Sequence, residues 1–387
     1  MKRHTGAHIT FQPRIRKGAF FEAAWRYGCR NFSVYNRTYI SGAFSDPVEE
    51  YWHTVEHAAL WPVMGERQVE VTGPDATRFV QYLTPRDISK CAVGQCKYAL
   101  ITAPDGGILS DPIILRLDED RYWLSTSDWD LETWAKGVSL NSGMQITIRD
   151  ANVSVLQVQG PKSPIAMAQV FGQNVLDLRY YWLMRLPFET TTVVVSRTGW
   201  SGEFGYEIYL ESGTFADGLF DALMSVGETC NLKPGSVNQI RRLESGILSA
   251  GVDFTPAETP FDVGLGRLVE LDSGAEFIGR NALAPKRDAP LEQQLVGLIV
   301  DGPALASNED LWPLSSAGVA AGRLTSLAFS PRLERNIALG IVATDFASLQ
   351  TQLEVATWDG SRTAVVTTLP FLPKKQSGDA RAMVANY

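Results

Sequence analysis

Three short segments of the 387-residue chain combine glycine-shaped turns with side chains that can do chemistry. The first is Gly106-Gly107-Ile-Leu-Ser110-Asp111-Pro112, in which a Gly-Gly turn feeds a carboxylate into a strand. The second is Arg197-Thr-Gly199-Trp200-Ser-Gly202-Glu203-Phe-Gly205-Tyr206-Glu207, and the third is Arg242-Leu243-Glu244-Ser245-Gly246. Glycine lets one backbone approach another group closely. Trp200, Tyr206 and Glu207 set flat apolar faces beside a carboxylate. A carboxylate aimed at a ring with adjacent N–H donors accepts two parallel hydrogen bonds. Taken singly, each segment also reads as a structural turn, with Asp111 as its capping carboxylate.

Other chemistries fit less well. His53-Thr-Val-Glu56-His57 matches an H-x-x-E-H metal spacing, but no downstream carboxylate ligand stands out, so a packing helix is expected and no metal. Gly264-Leu-Gly266-Arg267 lacks the third glycine of a dinucleotide fingerprint, and neither a G-x-S-x-G elbow nor a Walker lysine is present. All four histidines precede residue 58, which argues against a serine–histidine–aspartate triad. With 35 basic and 43 acidic residues the net charge is −8, so a nucleic-acid partner is not expected. No apolar run is long enough to span a membrane, and the basic N-terminus lacks the apolar stretch of a secretory signal. Four irregularly spaced cysteines (Cys29, Cys91, Cys96, Cys230) read as buried reduced thiols. A cytoplasmic protein is the expectation.

The elements that must position these segments alternate helix and strand. Asp46 and Pro47 open a helix over 46–60, and further helices are expected at 75–83, at 128–136 (carrying Trp129 and Trp134) and at 236–248. Strands are expected at 67–72, 112–117, 121–125, 190–196 and in the run GYEIYL. After Pro285 the runs QLVGLIVDG, GVAAGRLTS, RNIALGIVA, TQLEVATW and RTAVVTTL point to a separate small β-domain.

In combination and order, the three segments resemble the folate-dependent methyl- and aminomethyltransferase family of the glycine-cleavage T-protein. That family's motifs read GG-x-x-x-D, T-G-Y-[ST]-G-E-x-G-[YF]-E and R-L-E-[AS]-G, and Tyr98 stands 13 residues before Asp111 as the family's pocket tyrosine does. The resemblance runs over roughly residues 30–345, with VQGPKS, FIGRNAL and FSPRLERNIALGIV also shared. Within the family the chain is most similar to the dimethylsulfoniopropionate demethylases, through FSVYN, ERQVEVTGPDA, YLTPRDI, VGQCKYA, SDPIILRLDED, LESGILSAGVDF and TPFDVGLGR. Its TGWSGEFGYE turn is nearer the aminomethyltransferase form.

The resemblance implies an α+β fold, a three-domain cloverleaf around a folate channel. Its domains would be 1–55 plus 150–275 for folate, 56–149, and a C-terminal β-barrel at 285–387. It implies tetrahydrofolate as cofactor, Asp111 as the catalytic group at the reacting nitrogen, Glu207 on the pterin, and Tyr98, Trp200 and Arg242 lining the channel. Tyr35, Ser110, Glu203 and Tyr206 are the candidates on the substrate side. Partners would be folate and a small methylated donor, with neither nucleic acid nor membrane, and with a homodimer left open. Two other functions remain: an aminomethyltransferase served by a lipoyl carrier, which the acidic balance disfavours, and a folate binder without turnover, which would not need Asp111.

Overall fold

A computed structural model describes residues 9–126 and 130–385. Its architecture is α+β, with three sheet-based cores. The first sheet has six strands in the order Leu183–Phe188, Thr191–Ser196, Gly205–Leu210, Ser154–Gln159, Ala58–Pro62 and Leu232–Pro234. Helices Ser163–Phe171 and Ala216–Ser225 pack their apolar sides into the core on one of its faces. The other face meets a second, five-stranded sheet through Trp61, Trp123, Leu115 and Tyr209. That sheet runs Thr147–Asp150, Arg67–Thr72, Arg121–Thr126, Ile113–Asp118 and Cys96–Tyr98. The third core is a closed barrel of six strands between Gln293 and Thr367.

The central strand Gly205–Leu210 shows why both faces matter. All six of its residues are buried, because successive side chains point to opposite faces and both faces are covered. Tyr206, Ile208 and Leu210 enter the helix-covered core, and Tyr209 enters the layer between the sheets.

Most expected elements fall close to their places. Helix Pro47–Glu56 begins on Asp46, whose carboxylate accepts from the backbone N–H groups of Val48 (2.9 Å) and Glu49 (3.2 Å). The expected helix at 236–248 contracts to Gln239–Glu244: Asn238 caps its start, accepting from Arg241 N at 3.1 Å, and Gly246 turns left-handed (φ +62°) beyond its end. Residues 127–129, including Trp129, lie outside the described residues. Trp312–Ser316, read as connecting chain in the sequence, is a barrel strand.

Two of the expected domain limits need correction. Strand Ala58–Pro62 pairs with Ser154–Gln159, so residues 58–62 belong to the first sheet rather than to a second domain beginning at 56. The chain also leaves the barrel after Thr367. Leu372 N bonds Glu244 O (2.7 Å), Lys375 N bonds Gly202 O (2.7 Å), and helix Ala380–Ala385 packs on the first core, with Arg381 on Asp177 at 2.6 Å. The last residues are therefore a strap tied back to the first unit by main-chain bonds, not part of a domain running to 387.

Candidate active site

The layer between the two sheets holds the chemistry. Glu207 points into it from strand Gly205–Leu210 and is 4% exposed. Gln157, directly opposite in the register, donates from Nε2 to Glu207 Oε1 at 2.6 Å. Tyr209, two residues on and so on the same face, donates to Oε2 at 2.9 Å, and Thr198 Oγ1 donates to Oε2 as well. Burial raises the Glu207 carboxyl above its ordinary value, against the pull of Thr198, Tyr209 and Gln157.

From the facing sheet comes a second carboxyl. Glu66 immediately precedes strand Arg67–Thr72. Ser125 Oγ donates to its Oε1 at 2.5 Å, and Gln68 Nε2 supports Ser125 Oγ at 2.8 Å. Burial, and then the neighbouring Glu207 charge, hold Glu66 well above the usual carboxylate range.

Asp111 is delivered by the Gly-Gly turn. Gly106 is left-handed (φ +87°), and a Cβ on Gly107 would stand 2.1 Å from the Pro256 carbonyl oxygen, so only glycine allows this approach. Strand Ile108–Ser110 follows, with Ser110 Oγ 2.8 Å from Thr126 Oγ1. Asp111 then meets Tyr98, whose hydroxyl donates to Oδ2 at 3.0 Å. Burial, with the Asp111 charge and hydrogen bond, pushes the Tyr98 phenol well up, so it keeps its proton and remains a donor. Ser125, Glu66, Gln157 and Glu207 form one polar seam between the sheets, while Ser110 and Thr126 pair on the other face of that strand, since Thr126 directly follows Ser125.

Tyr181 is within electrostatic reach of both Tyr98 and Glu207, with a positive φ of 60° that is uncommon for an aromatic residue. Tyr98, Tyr181 and Glu66 each keep some accessible surface although burial strongly shifts their titration. They are the accessible side chains of the layer between the sheets. At its margins, a Cβ on Gly65 would come within 2.7 Å of the Tyr35 ring, which places Tyr35 beside Glu66. Trp200, half-buried, lies under the Arg242 guanidinium at 5.3 Å.

The structure thus pairs Tyr98 with Asp111 and sets Tyr181 within electrostatic reach of both Tyr98 and Glu207, whereas Ser110 turns to Thr126, Tyr35 lies against Gly65 and Trp200 lies under Arg242. Three other candidates are engaged elsewhere. Arg242 bonds Gln239 Oε1 (2.7 Å), Asp253 Oδ2 (2.5 Å), Ile247 O (3.1 Å) and Ser326 Oγ (2.7 Å), so it touches the channel only through Trp200. Glu203 is buried in an ion pair with Arg241 at 2.7 Å. Tyr206 is buried on the opposite face of its strand, among the helices of the first core, 5.1 Å from the Arg197 guanidinium. The expectation that Glu203 and Tyr206 face a substrate is corrected accordingly: strand alternation and charge pairing turn them inward. His53 of the H-x-x-E-H run has its Nε2 on the Asn231 carbonyl at 2.6 Å.

Glu66, Gln157, Tyr181, Thr198 and Tyr209 were not singled out from the sequence. For Tyr209 the signal was present, since it stands two residues after Glu207 in a strand.

The N-terminal domain model of the glycine cleavage T-protein matches residues 6–273, and the model of its C-terminal barrel domain matches 293–372. The chain belongs to the glycine cleavage T-protein family. Among relatives in this family, it is 36% identical over 353 residues to dimethylsulfoniopropionate demethylase of Ruegeria pomeroyi, covering 91% of this chain and 96% of that one. It is 32% identical over 343 residues to an aminomethyltransferase of Symbiobacterium thermophilum, covering 85% and 90%. The fold matches the crystal structure of aminomethyltransferase T from Bartonella henselae with a TM-score of 0.84 at 23% identity, over 93% of this chain and 99% of that one. As a T-protein family member the chain is a one-carbon transferase, and tetrahydrofolate is its carrier. The seam suits that group: it offers two carboxyls, Glu207 and Glu66, held by hydroxyls and an amide, to a ring rich in N–H donors.

Proposed function

We propose that the protein moves a methyl group from a small methylated donor to N5 of tetrahydrofolate, the donor being a sulfonium such as dimethylsulfoniopropionate or a related onium or methoxy compound. The observation that carries this reading is the Tyr98–Asp111 pair, with Tyr181 in electrostatic reach of both Tyr98 and the buried Glu207. The similarity to the Ruegeria demethylase supports the choice of donor class.

When bound, tetrahydrofolate supplies a neutral secondary amine, N5, as the nucleophile. On that amine the donor's methyl carbon would exchange its bond to sulfur, which keeps the electron pair, for one to nitrogen, and the amine's proton would pass to solvent. No strong base is required to start this, so alignment dominates, and alignment is worth about 7–11 kcal/mol. Asp111, fixed by the Tyr98 hydroxyl, presents its carboxylate to the positive charge that N5 acquires. Glu207, fixed by Gln157, Thr198 and Tyr209, accepts from the pterin and binds it equally in ground and transition states. Trp200, braced by Arg242, offers a flat face at the channel margin. A sulfonium departs unaided, whereas an ether oxygen would need a general acid, and the Tyr98 phenol is already committed to Asp111.

The test is mass spectrometry of the folate product after anaerobic incubation with a panel of methylated donors. A 5-methyl product is expected. A 5,10-methylene product with an aminomethyl donor would assign the chain to the aminomethyltransferase activity, and unchanged folate would leave it a binder.

A further inference from the structure

Glu207 alone has little room for a ligand. A carboxylate offers about four lone-pair sites. Thr198 and Tyr209 occupy both on Oε2, and Gln157 occupies one on Oε1. At most one site is left, since Ser196 also bonds this carboxyl, while the pterin presents two neighbouring donors, its ring N–H and its 2-amino group. The carboxyl with room is Glu66. Only its Oε1 is engaged by a hydroxyl, from Ser125 at 2.5 Å, and unlike Glu207 it keeps accessible surface.

Gln157 stands between the two carboxyls, donating to Glu207 Oε1 and hydrogen-bonded also with Glu66, yet its own Oε1 has no partner. An acceptor left without a donor in a buried polar cluster is costly. A proton on Glu66 supplies the missing donor and removes one of two facing negative charges. The titratable groups around the pair are Tyr209, Tyr181, Tyr180 and Cys96, all pushed up by burial and so neutral. Burial, Glu207, Ser125 and Gln157 act on Glu66, whereas farther along its own strand face Glu70 is already taken by Arg121 and Arg149.

We propose that Glu66 is a further ligand-binding residue of this channel: as a carboxylic acid beside the Glu207 carboxylate, it accepts the part of the pterin N–H edge that Glu207 cannot. The inference rests on the tetrahydrofolate reading above.

The experiment is anaerobic calorimetric titration of wild type, E66Q, E66D and E66L with tetrahydrofolate and with its 2-desamino analogue, alongside donor KM. Glutamine keeps a neutral acceptor at the same reach, so E66Q should bind within about threefold of wild type. Leucine removes the acceptor, and E66L should bind about tenfold or more weakly, the loss of one hydrogen bond to a ligand. E66D, with a shortened reach, should fall between and decides the matter where E66L does not fold. The penalty for removing the 2-amino group should shrink in E66L and E66D. Wild-type affinity in E66L or E66D overturns the assignment, as does an E66L effect on donor KM alone. E66Q as weak as E66L overturns the neutral acid. Wild type that takes up no tetrahydrofolate overturns the folate reading and this inference with it; retained wild-type binding separates the two failures.

Discussion

The helix Gln239–Glu244 and the seam between the sheets both bury charged groups, and they treat them oppositely. On the helix each charge has an opposite partner: Arg241 with Glu203 (2.7 Å), Arg242 with Asp253 (2.5 Å) and Glu244 with Arg332 (2.5 Å), the last also held by Tyr51 (2.7 Å) and Ser330 (2.6 Å). These pairs stitch the first core to the barrel and to the returning strap, and little bonding capacity is left for a ligand. In the seam two carboxyls, Glu66 and Glu207, share Gln157, with hydroxyls as their other partners. Carboxyls left to hydroxyls and amides retain capacity for a ligand's donors. Glu244 on the helix and Glu207 in the seam are the same residue type and both buried; the partner decides the role.

The largest effect expected from this contrast is on stability. Removing one partner of a buried ion pair leaves the other charge stranded and costs about 3–5 kcal/mol. R241M should therefore lower the Tm strongly, while the fraction that stays folded binds tetrahydrofolate within about twofold of wild type. Thermal melts and titration of the same sample read both. A variant that melts normally but loses folate affinity would place Arg241 in the site and erase the distinction between the regions.

Next come the kinetic effects within the site. Asp111→Asn should depress kcat about 10- to 100-fold with a smaller change in KM, because the charge it meets appears only in the transition state. Glu207→Gln should instead raise the tetrahydrofolate KM, since a hydrogen bond to a charged group is worth about 1.5–3 kcal/mol and here acts equally on bound substrate and transition state. Steady-state kinetics with saturating donor separate the two. An Asp111→Asn enzyme with intact kcat and raised KM would make Asp111 another binding carboxylate.

How much of this was legible beforehand follows from the same contrast. The turns carrying Asp111 and Glu207 were readable because glycines at close approaches, such as Gly107 against Pro256, leave a fixed pattern in sequence. The barrel was readable from its β-branched runs, although strand Trp312–Ser316 was not among the runs that stood out. Glu203 and Tyr206 share the motif with Glu207, and neither their type nor their spacing tells that one pairs with Arg241 and the other faces a helix layer. Glu66 was hidden for a clearer reason. Glu66, Gln68 and Glu70 alternate with Arg67, Val69 and Val71, close to the pattern of a strand with one face in water. Here that polar face is covered by another sheet, and Gln68 and Glu70 are 1% and 2% exposed. A sequence shows that a face is polar; what lies against it is a property of the fold.

Those two same-face carboxyls give the finest comparison. Glu70 is bonded by Arg121 (2.7 Å), Arg149 (2.6 Å) and the Trp123 indole (3.0 Å), which together outweigh its desolvation and hold it below its ordinary value. Glu66, with no cation, is held above it, by burial and then by Glu207. A carboxyl lowered by folding adds stability above its unfolded value, about 4.3, and loses it as pH falls through the folded value. A carboxyl raised by folding does the reverse: the native state holds its proton more tightly than the unfolded chain, so stability declines as pH rises from that same value through the raised one. Glu70→Gln should thus weaken the apo protein at neutral pH and narrow its gap to wild type in acid. E66Q, which cannot ionise, should match wild type in acid and exceed it above neutrality, by a shift on the order of a few degrees in Tm. Melting curves across the pH range decide the sign. Parallel wild-type and E66Q curves would mean that Glu66 ionises as freely in the native seam as in the unfolded chain, and the seam would then tolerate two adjacent anions without a cation.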